Sequence, residues 1–239
     1  MNKGKLGVIG GMGPQAMLQF CQRIIDFTAA QTDQEHLPML ILNDTQMPDR
    51  TAALLSGDTE AVTARLLADA RQLEAWGATA IAVTCNTAHA FLPRIQGELK
   101  TPLVNMVTET AAALKSQGCR RVGILATDGT LRVGLYHRAL EEQGIQPLSP
   151  APDAQRQVME IIYKEIKKGL PGSEEKFNAA AQSLKAQGCD RILLACTEMS
   201  TYKDWHHLDD FYIDAMDVLA RRCIQVCGYP LRDMQSQPD

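Results

Sequence analysis

Short runs of consecutive apolar residues alternate along the chain with longer stretches whose apolar positions recur every three or four residues. The runs at residues 5–9, 39–42, 80–83, 103–105, 122–126, 145–148, 192–195 and 211–213 read as strands. The periodic stretches read as helices. The first follows Pro14 and extends to about residue 30, with Met17, Phe20, Cys21, Ile24 and Ile25 on one face. Asp58 or Thr59 would cap the next, which stops near Trp76-Gly77. Another begins after Ala88. Further helices are expected to residue 117, over 131–143, 153–168 and 173–187, and from 214 to 227. The polar segment 202–207 (Tyr-Lys-Asp-Trp-His-His) reads as loop. Strands in regular alternation with helices predict an α/β protein with parallel sheets covered by helices on both faces.

One unit repeats. Leu73-Glu74-Ala75-Trp76-Gly77, Leu114-Lys115-Ser116-Gln117-Gly118 and Leu184-Lys185-Ala186-Gln187-Gly188 each end a predicted helix on glycine and lead into a predicted strand. Eight positions after the glycine, at the carboxyl end of the strand, stand Cys85, Ala126 and Cys196. In open α/β sheets that end is where ligands bind. A plain helix–strand repeat accounts for the period, but not for Cys85-Asn86-Thr87 and Cys196-Thr197 at two of the three ends. Cys119 and Cys189, at the other end of the strand, read as structural.

Bulk properties narrow the function. The chain has 239 residues, enough for one large α/β domain or two small ones. A hydrophobic fraction of 45% and a charged fraction of 22% are those of an ordinary globular protein. A net charge of −4 argues against nucleic acid as a partner. No apolar run approaches the length of a membrane span, and Met1-Asn2-Lys3-Gly4-Lys5 leads into a strand without a signal-peptide pattern, so a cytoplasmic location is expected. Seven cysteines, none in Cys-Xaa-Xaa-Cys spacing, suggest free thiols. No metal-ligand spacing or pyridoxal-type lysine motif is present, and no cofactor is expected.

Two thiols at strand ends suit proton transfer at a stereocentre. One thiolate removes a proton from one face of a carbon acid, and the other, as thiol, returns a proton to the opposite face. A helix start favours the thiolate through its unpaired N–H groups. Two small buried cysteines, or one nucleophilic thiol, are the alternatives that spacing leaves open.

Gly10-Gly11-Met12-Gly13-Pro14, Gln34-Glu35-His36, Pro48-Asp49-Arg50-Thr51, Cys85-Asn86-Thr87-Ala88-His89, Cys196-Thr197-Glu198 and Asp214-Ala215-Met216-Asp217-Val218-Leu219-Ala220 occur in that order. Together they resemble the aspartate racemase branch of the aspartate/glutamate racemase superfamily, from Leu6 to about Ala220. The resemblance implies two similar α/β domains, each a parallel sheet flanked by helices, with the active site in the cleft between them. Residues 1–102 with 212–239 would form the first and 103–211 the second. It also implies racemisation of a small anionic amino acid, aspartate or glutamate, without pyridoxal phosphate, commonly by a homodimer. Cys85 and Cys196 would be the two acid/base thiols. Asn86 and Thr87 match positions that hold the substrate's α-carboxylate and amine, and Thr127 and Thr197 match partners on the second domain. Asp128 departs from the smaller polar residue expected beside Thr127. Arg50 matches an arginine that pairs with a substrate carboxylate, and Lys167, following Tyr163, a lysine that reaches the side-chain carboxylate. Met12 lies in the glycine turn beside this set.

Other features have blander readings. The Gly10–Gly13 turn lacks the dinucleotide and phosphate-loop fingerprints. His89 is expected to orient the Cys85 segment, and Glu198 the Cys196 turn, rather than to catalyse. His206 and His207 read as loop residues, and Cys21, Cys223 and Cys227 as core. Two rivals remain at this stage: a maleate-isomerase-like enzyme, with one cysteine as nucleophile, and a non-catalytic dicarboxylate-binding or thiol redox protein.

Overall fold

The computed structural model describes residues 3–233. Among the described residues seven strands form two parallel sheets: β1 (Leu6–Gly10), β2 (Met39–Asn43) and β3 (Ala80–Val83) in the order β2-β1-β3, and β4 (Arg121–Leu125), β5 (Gln146–Leu148), β6 (Arg191–Leu194) and β7 (Tyr212–Asp214) in the order β5-β4-β6-β7. The expected strand at 103–105 is a single bridge from Leu103 to Ile81, because Asn105 already turns to cap the next helix. With that bridge counted, the two halves share one strand order.

The helices are α1 (Pro14–Phe27), α2 (Arg50–Ser56), α3 (Glu60–Ala75), α4 (Leu92–Ile95), α5 (Met106–Ser116), α6 (Asp128–Arg132), α7 (Leu135–Glu142), α8 (Pro152–Glu160), α9 (Glu174–Lys185), α10 (Thr197–His206) and α11 (Ala215–Val226). Alternation along the central strands sorts their side chains between layers. Leu6, Val8, Val122 and Ile124 face a shared inner core with residues of α1, α5, α7 and α11. Ile9 packs outward with Leu66 and Leu73 of α3, and Leu125 with Val158 of α8 and Leu184 of α9. Gly7 and Gly123 let these outer helices press close. A Cβ on Gly7 would stand 3.2 Å from the Leu73 Cβ, and one on Gly123 2.8 Å from the Leu184 Cδ1.

The two-unit division suggested by the sequence stands as a proposal. Leu103 still pairs with the first sheet and β7 with the second, so breaks after Val104 and after Asp214 would keep each pairing within one unit.

Several elements differ from the sequence reading. Residues 202–206 are the end of α10, not loop, and His207 closes it in the left-handed conformation (φ 49°). The segment shows no apolar period because one residue anchors it: Tyr202 is buried and stacks on Phe177 (4.3 Å) and, one turn on, His206 (4.0 Å). Helix α2 was not anticipated; the Asp49 side chain caps it by accepting from the Ala52 N–H at 2.7 Å. The helix expected over 131–143 breaks at Gly134 (φ 61°) into α6 and α7. The one expected over 153–168 becomes α8, then a π-helical turn over 161–165 and a 3₁₀ turn over 166–168. Such π turns are frequent at functional sites.

A pair of carboxylates supports the glycine turn. Gly11 (φ 89°) lies on the main chain of Asp44, where a Cβ would come within 2.3 Å of the carbonyl. Asp44 is bound by Arg65 at 2.5 and 2.8 Å. Asp69 faces it from α3, with a buried Oδ2 that has no partner. Burial, then the Asp44 charge, push the Asp69 carboxyl up to about 6. A carboxyl raised in the folded state stabilises the fold while protonated and loses that contribution as pH rises through about 6. Thermal denaturation should therefore show a gain on going from pH 7.5 to pH 5.5, and Asp69→Asn should shrink that gain. An identical pH profile in the variant would refute this account.

Candidate active site

The ladder of each central sheet ends one residue before a cysteine. Thr84 N–H donates to the Ile9 carbonyl (3.0 Å) and Ala195 N–H to the Leu125 carbonyl (2.8 Å). The next residues, Cys85 and Cys196, leave their sheets at equivalent points. Both line one cavity between the halves, together with Met12, Arg50, Asn86, Thr87, Thr127, Lys167 and Thr197. Every site residue singled out from the sequence is thus brought together. Thr51, Tyr163 and Glu198 complete the wall. The enclosed space is only ≈ 10 Å³, roughly one water, so a substrate needs the cleft to open.

Cys85 leads into a 3₁₀ turn over 87–90 rather than a full helix. His89, inside that turn, is buried, and burial holds its imidazole down at about 4. It is therefore neutral, and its Nδ1 lies 2.9 Å from the Cys85 carbonyl, which makes it a fixture of the Cys85 turn. Asn86 is oriented from a distance: its Oδ1 accepts from the buried Tyr136 hydroxyl at 2.5 Å. That leaves the Asn86 Nδ2 buried and without an acceptor.

Arg50, at the start of α2, is buried and donates to the main-chain carbonyls of Met12 (2.9 Å), Pro48 (2.9 Å) and Met47 (3.4 Å). Its Nε is also buried without an acceptor. Burial alone would lower its pKa, but the Cys85 sulfur and the Asp49 carboxylate facing it outweigh burial and raise it.

The second thiol has the opposite surroundings. Cys196 forms the N-cap of α10, yet burial and the Glu198 carboxylate push its thiol well above the usual range. The Cys196 Sγ–H donates to Glu198 Oε2 at 2.9 Å. The helix start, which by itself favours thiolate, is overridden here. Lys167, carried by the turn after α8, pairs with the other oxygen of Glu198. Burial opposes the Lys167 charge, while Glu198 and then Cys196 raise its pKa. Glu198 therefore touches the sulfur, which the sequence reading did not assign to it. Its place next to Cys196 and Thr197 was the available signal.

Threonine hydroxyls join the halves. Thr87, Thr127 and Thr130 lie within 2.9–3.2 Å of one another, and Thr51 donates to Thr127 at 3.2 Å. Gly129 permits the approach, since a Cβ there would meet the Thr51 Cα at 2.9 Å. Asp128 turns away from the cleft and accepts from Gln155 at 2.8 Å, so its departure from the expected small residue leaves the cavity wall unchanged. Tyr163, in the π turn, donates to Asp49 at 3.2 Å across the cleft. No signal in the sequence pointed to Tyr136, and Thr51 stood there only as the last residue of the Pro48-Asp49-Arg50-Thr51 motif.

Among the described residues no helix is long and apolar enough to cross a membrane, and no group of three His, Cys, Asp or Glu side chains could hold a metal ion. All seven cysteines are free; Cys21, Cys119, Cys223 and Cys227 are buried, and Cys189 is half-buried.

Two halves of one strand order, each delivering a cysteine to a shared cleft, define an α/β protein with its cavity at the carboxyl ends of both central sheets. The chain belongs to the Asp/Glu/hydantoin racemase family, whose profile matches residues 9–223. It is similar to the broad specificity amino-acid racemase RacX of Bacillus subtilis, at 26% identity over 92% of this chain and 96% of that one. Its fold matches the Picrophilus torridus aspartate racemase with a TM-score of 0.79 and 29% identity, covering 96% of each chain. A Francisella tularensis glutamate racemase, solved with D-glutamate, shares the fold at a TM-score of 0.68 and 17% identity, over 95% of this chain and 81% of that one. The protein is an amino-acid racemase of this family.

Proposed function

We propose that the protein racemises aspartate by a two-base mechanism, with Cys85 and Cys196 on opposite faces of the α-carbon. Glutamate or a broader range of amino acids is the alternative within the same reading. The observation that carries it is the pair of buried donors without acceptors, Arg50 Nε and Asn86 Nδ2, in a cavity lined by both thiols. Buried donors are rarely left unpaired, and an α-carboxylate supplies the acceptors these two lack. The basic form is assigned to Cys85, which faces the Arg50 guanidinium. Its thiolate takes the α-proton; the C–H electron pair moves into the carboxylate-stabilised carbanion. Cys196, held protonated by burial and by Glu198, delivers its proton to the other face. The turnover ends with thiol at Cys85 and thiolate at Cys196. The Lys167 ammonium, beside both Glu198 and Cys196, offsets that new charge. The reverse direction starts from this state.

The test is incubation of L- and D-aspartate in deuterated water, followed by proton NMR and chiral analysis. Both enantiomers should lose the α-proton and approach the racemate. Turnover of maleate without exchange of aspartate would replace this reading with an isomerase. Stabilisation by dicarboxylates with no turnover would replace it with a binding protein. A homodimer acting in the cytoplasm belongs to the same proposal, and sedimentation at working concentration checks the dimer.

A further inference from the structure

A second, larger cavity of ≈ 750 Å³ adjoins the closed one and shares Met12, Arg50, Lys167 and Glu198 with it. Its remaining wall sets apolar Met47, Ile166 and Trp205 beside Thr45, Thr201 and Asp49, whose carboxylate oxygens already accept from the Ala52 N–H and the Tyr163 hydroxyl. Glu198, Thr201 and Trp205 follow one face of α10 at i, i+3 and i+7, so the wall runs about 10 Å from the reacting thiol's partner to the indole. Trp205 is 40% exposed, an unusual setting for a large aromatic side chain. Both cations nearest the partition are already engaged, Lys167 by Glu198 and Arg50 by three carbonyls. Met12, buried in the partition, is unbranched and can change rotamer to join the two spaces.

From this geometry we infer that the cavity is a side-chain subsite, and that the enzyme also accepts amino acids with long, uncharged, apolar or aromatic side chains. The inference rests on the racemase reading and extends it. The α-carbon sits between the thiols, and the side chain passes Met12 and lies along α10 against Trp205. Neither Lys167 nor Arg50 has to leave its partner, which a distal carboxylate would require of Lys167. A single well-placed apolar contact of this kind discriminates by roughly 10- to 100-fold.

The experiment measures α-deuterium incorporation for alanine, aspartate, methionine, phenylalanine and arginine with wild type, Trp205→Ala and Thr45→Trp. Thr45 is an exposed residue on the rim of the large cavity, and tryptophan there would narrow it. Methionine and phenylalanine should exchange faster than alanine in wild type. In both variants the kcat/KM ratio of methionine to aspartate should fall by about 10-fold, mainly through KM. Exchange confined to aspartate, or preference for arginine over methionine, overturns the subsite while leaving the racemase reading intact. Unchanged ratios in both variants do the same. Failure of every amino acid to exchange overturns both.

Discussion

Cys85→Ala and Cys196→Ala should each reduce aspartate racemisation by about 10³-fold, the usual worth of a positioned acid or base. Loss of net inversion alone would not separate this mechanism from general damage, so the decisive readout is one-sided exchange. With Cys196 removed, Cys85 can still take the α-proton from one enantiomer and return deuterium to the same face. That enantiomer should exchange slowly without inverting, and Cys85→Ala should show the same for the other enantiomer. If both variants exchange the same enantiomer, or either racemises at the wild-type rate, the two-face assignment is wrong. Glu198→Gln adds a charge test. The Glu198 carboxylate helps to hold the proton on Cys196, so its removal should move the limb of the pH–rate profile that belongs to Cys196 toward lower pH. A variant that merely disturbed packing would lower the rate without moving the limb.

The largest effect on stability is expected at Arg23. This residue is buried on α1 and binds three carboxylates: Asp217 at 2.6 Å, Asp204 at 2.8 Å and Asp214 at 3.0 Å. Asp204 belongs to α10 and Asp217 to α11, so one guanidinium ties together the helix that starts at Cys196, the helix that follows the glycine turn, and α11. Burial would lower the Arg23 pKa, but the carboxylates outweigh it and keep the guanidinium charged. Asp214, fully buried, also accepts from the Ser200 hydroxyl at 2.6 Å and from the Met216 N–H at 2.8 Å. Arg23→Met leaves that carboxylate without its cation, at a cost of about 3–5 kcal/mol. The midpoint of thermal unfolding should fall by roughly 10 °C. Burial, then Asp217, already push the Asp214 carboxyl up to about 6 with Arg23 present, and its removal raises it further. A raised carboxyl stabilises the fold while protonated, so acidification from pH 8 to pH 5.5 should recover more stability in the variant than in wild type. The exposed pair Arg222–Glu109 (3.1 Å) is the control; Arg222→Met should cost about 1 kcal/mol or less. Equal losses at Arg23 and Arg222 would refute the role given to burial.

Features carried by local sequence were legible. The strand cores are continuous apolar runs, and the glycine-terminated repeat places Cys85 and Cys196 at equivalent strand ends. Gly77, Gly118 and Gly188 do take positive φ (88°, 75° and 77°), as helix stops ending on glycine require. Elements resting on one distant contact were not legible. Residues 202–206 are helical because Tyr202 reaches Phe177, and nothing within the segment says so. The π turn that places Tyr163 has no compositional mark.

The sequence by itself determined the α/β alternation, the repeat, and two cysteines at matching points of that repeat, because each depends on residues within about ten positions. The tertiary structure decided what each thiol faces. Burial and the Glu198 carboxylate, which turns back onto the sulfur, raise the Cys196 thiol, while Lys167, arriving from another element, opposes them. Cys85 faces Arg50, which main-chain carbonyls of two loops hold in place. The Asn86 amide keeps a buried Nδ2 without an acceptor, while Tyr136, fifty residues on, occupies its oxygen. Charge and orientation at a buried site are set by neighbours in space, and a chain folded into two facing halves draws those neighbours from far along its length.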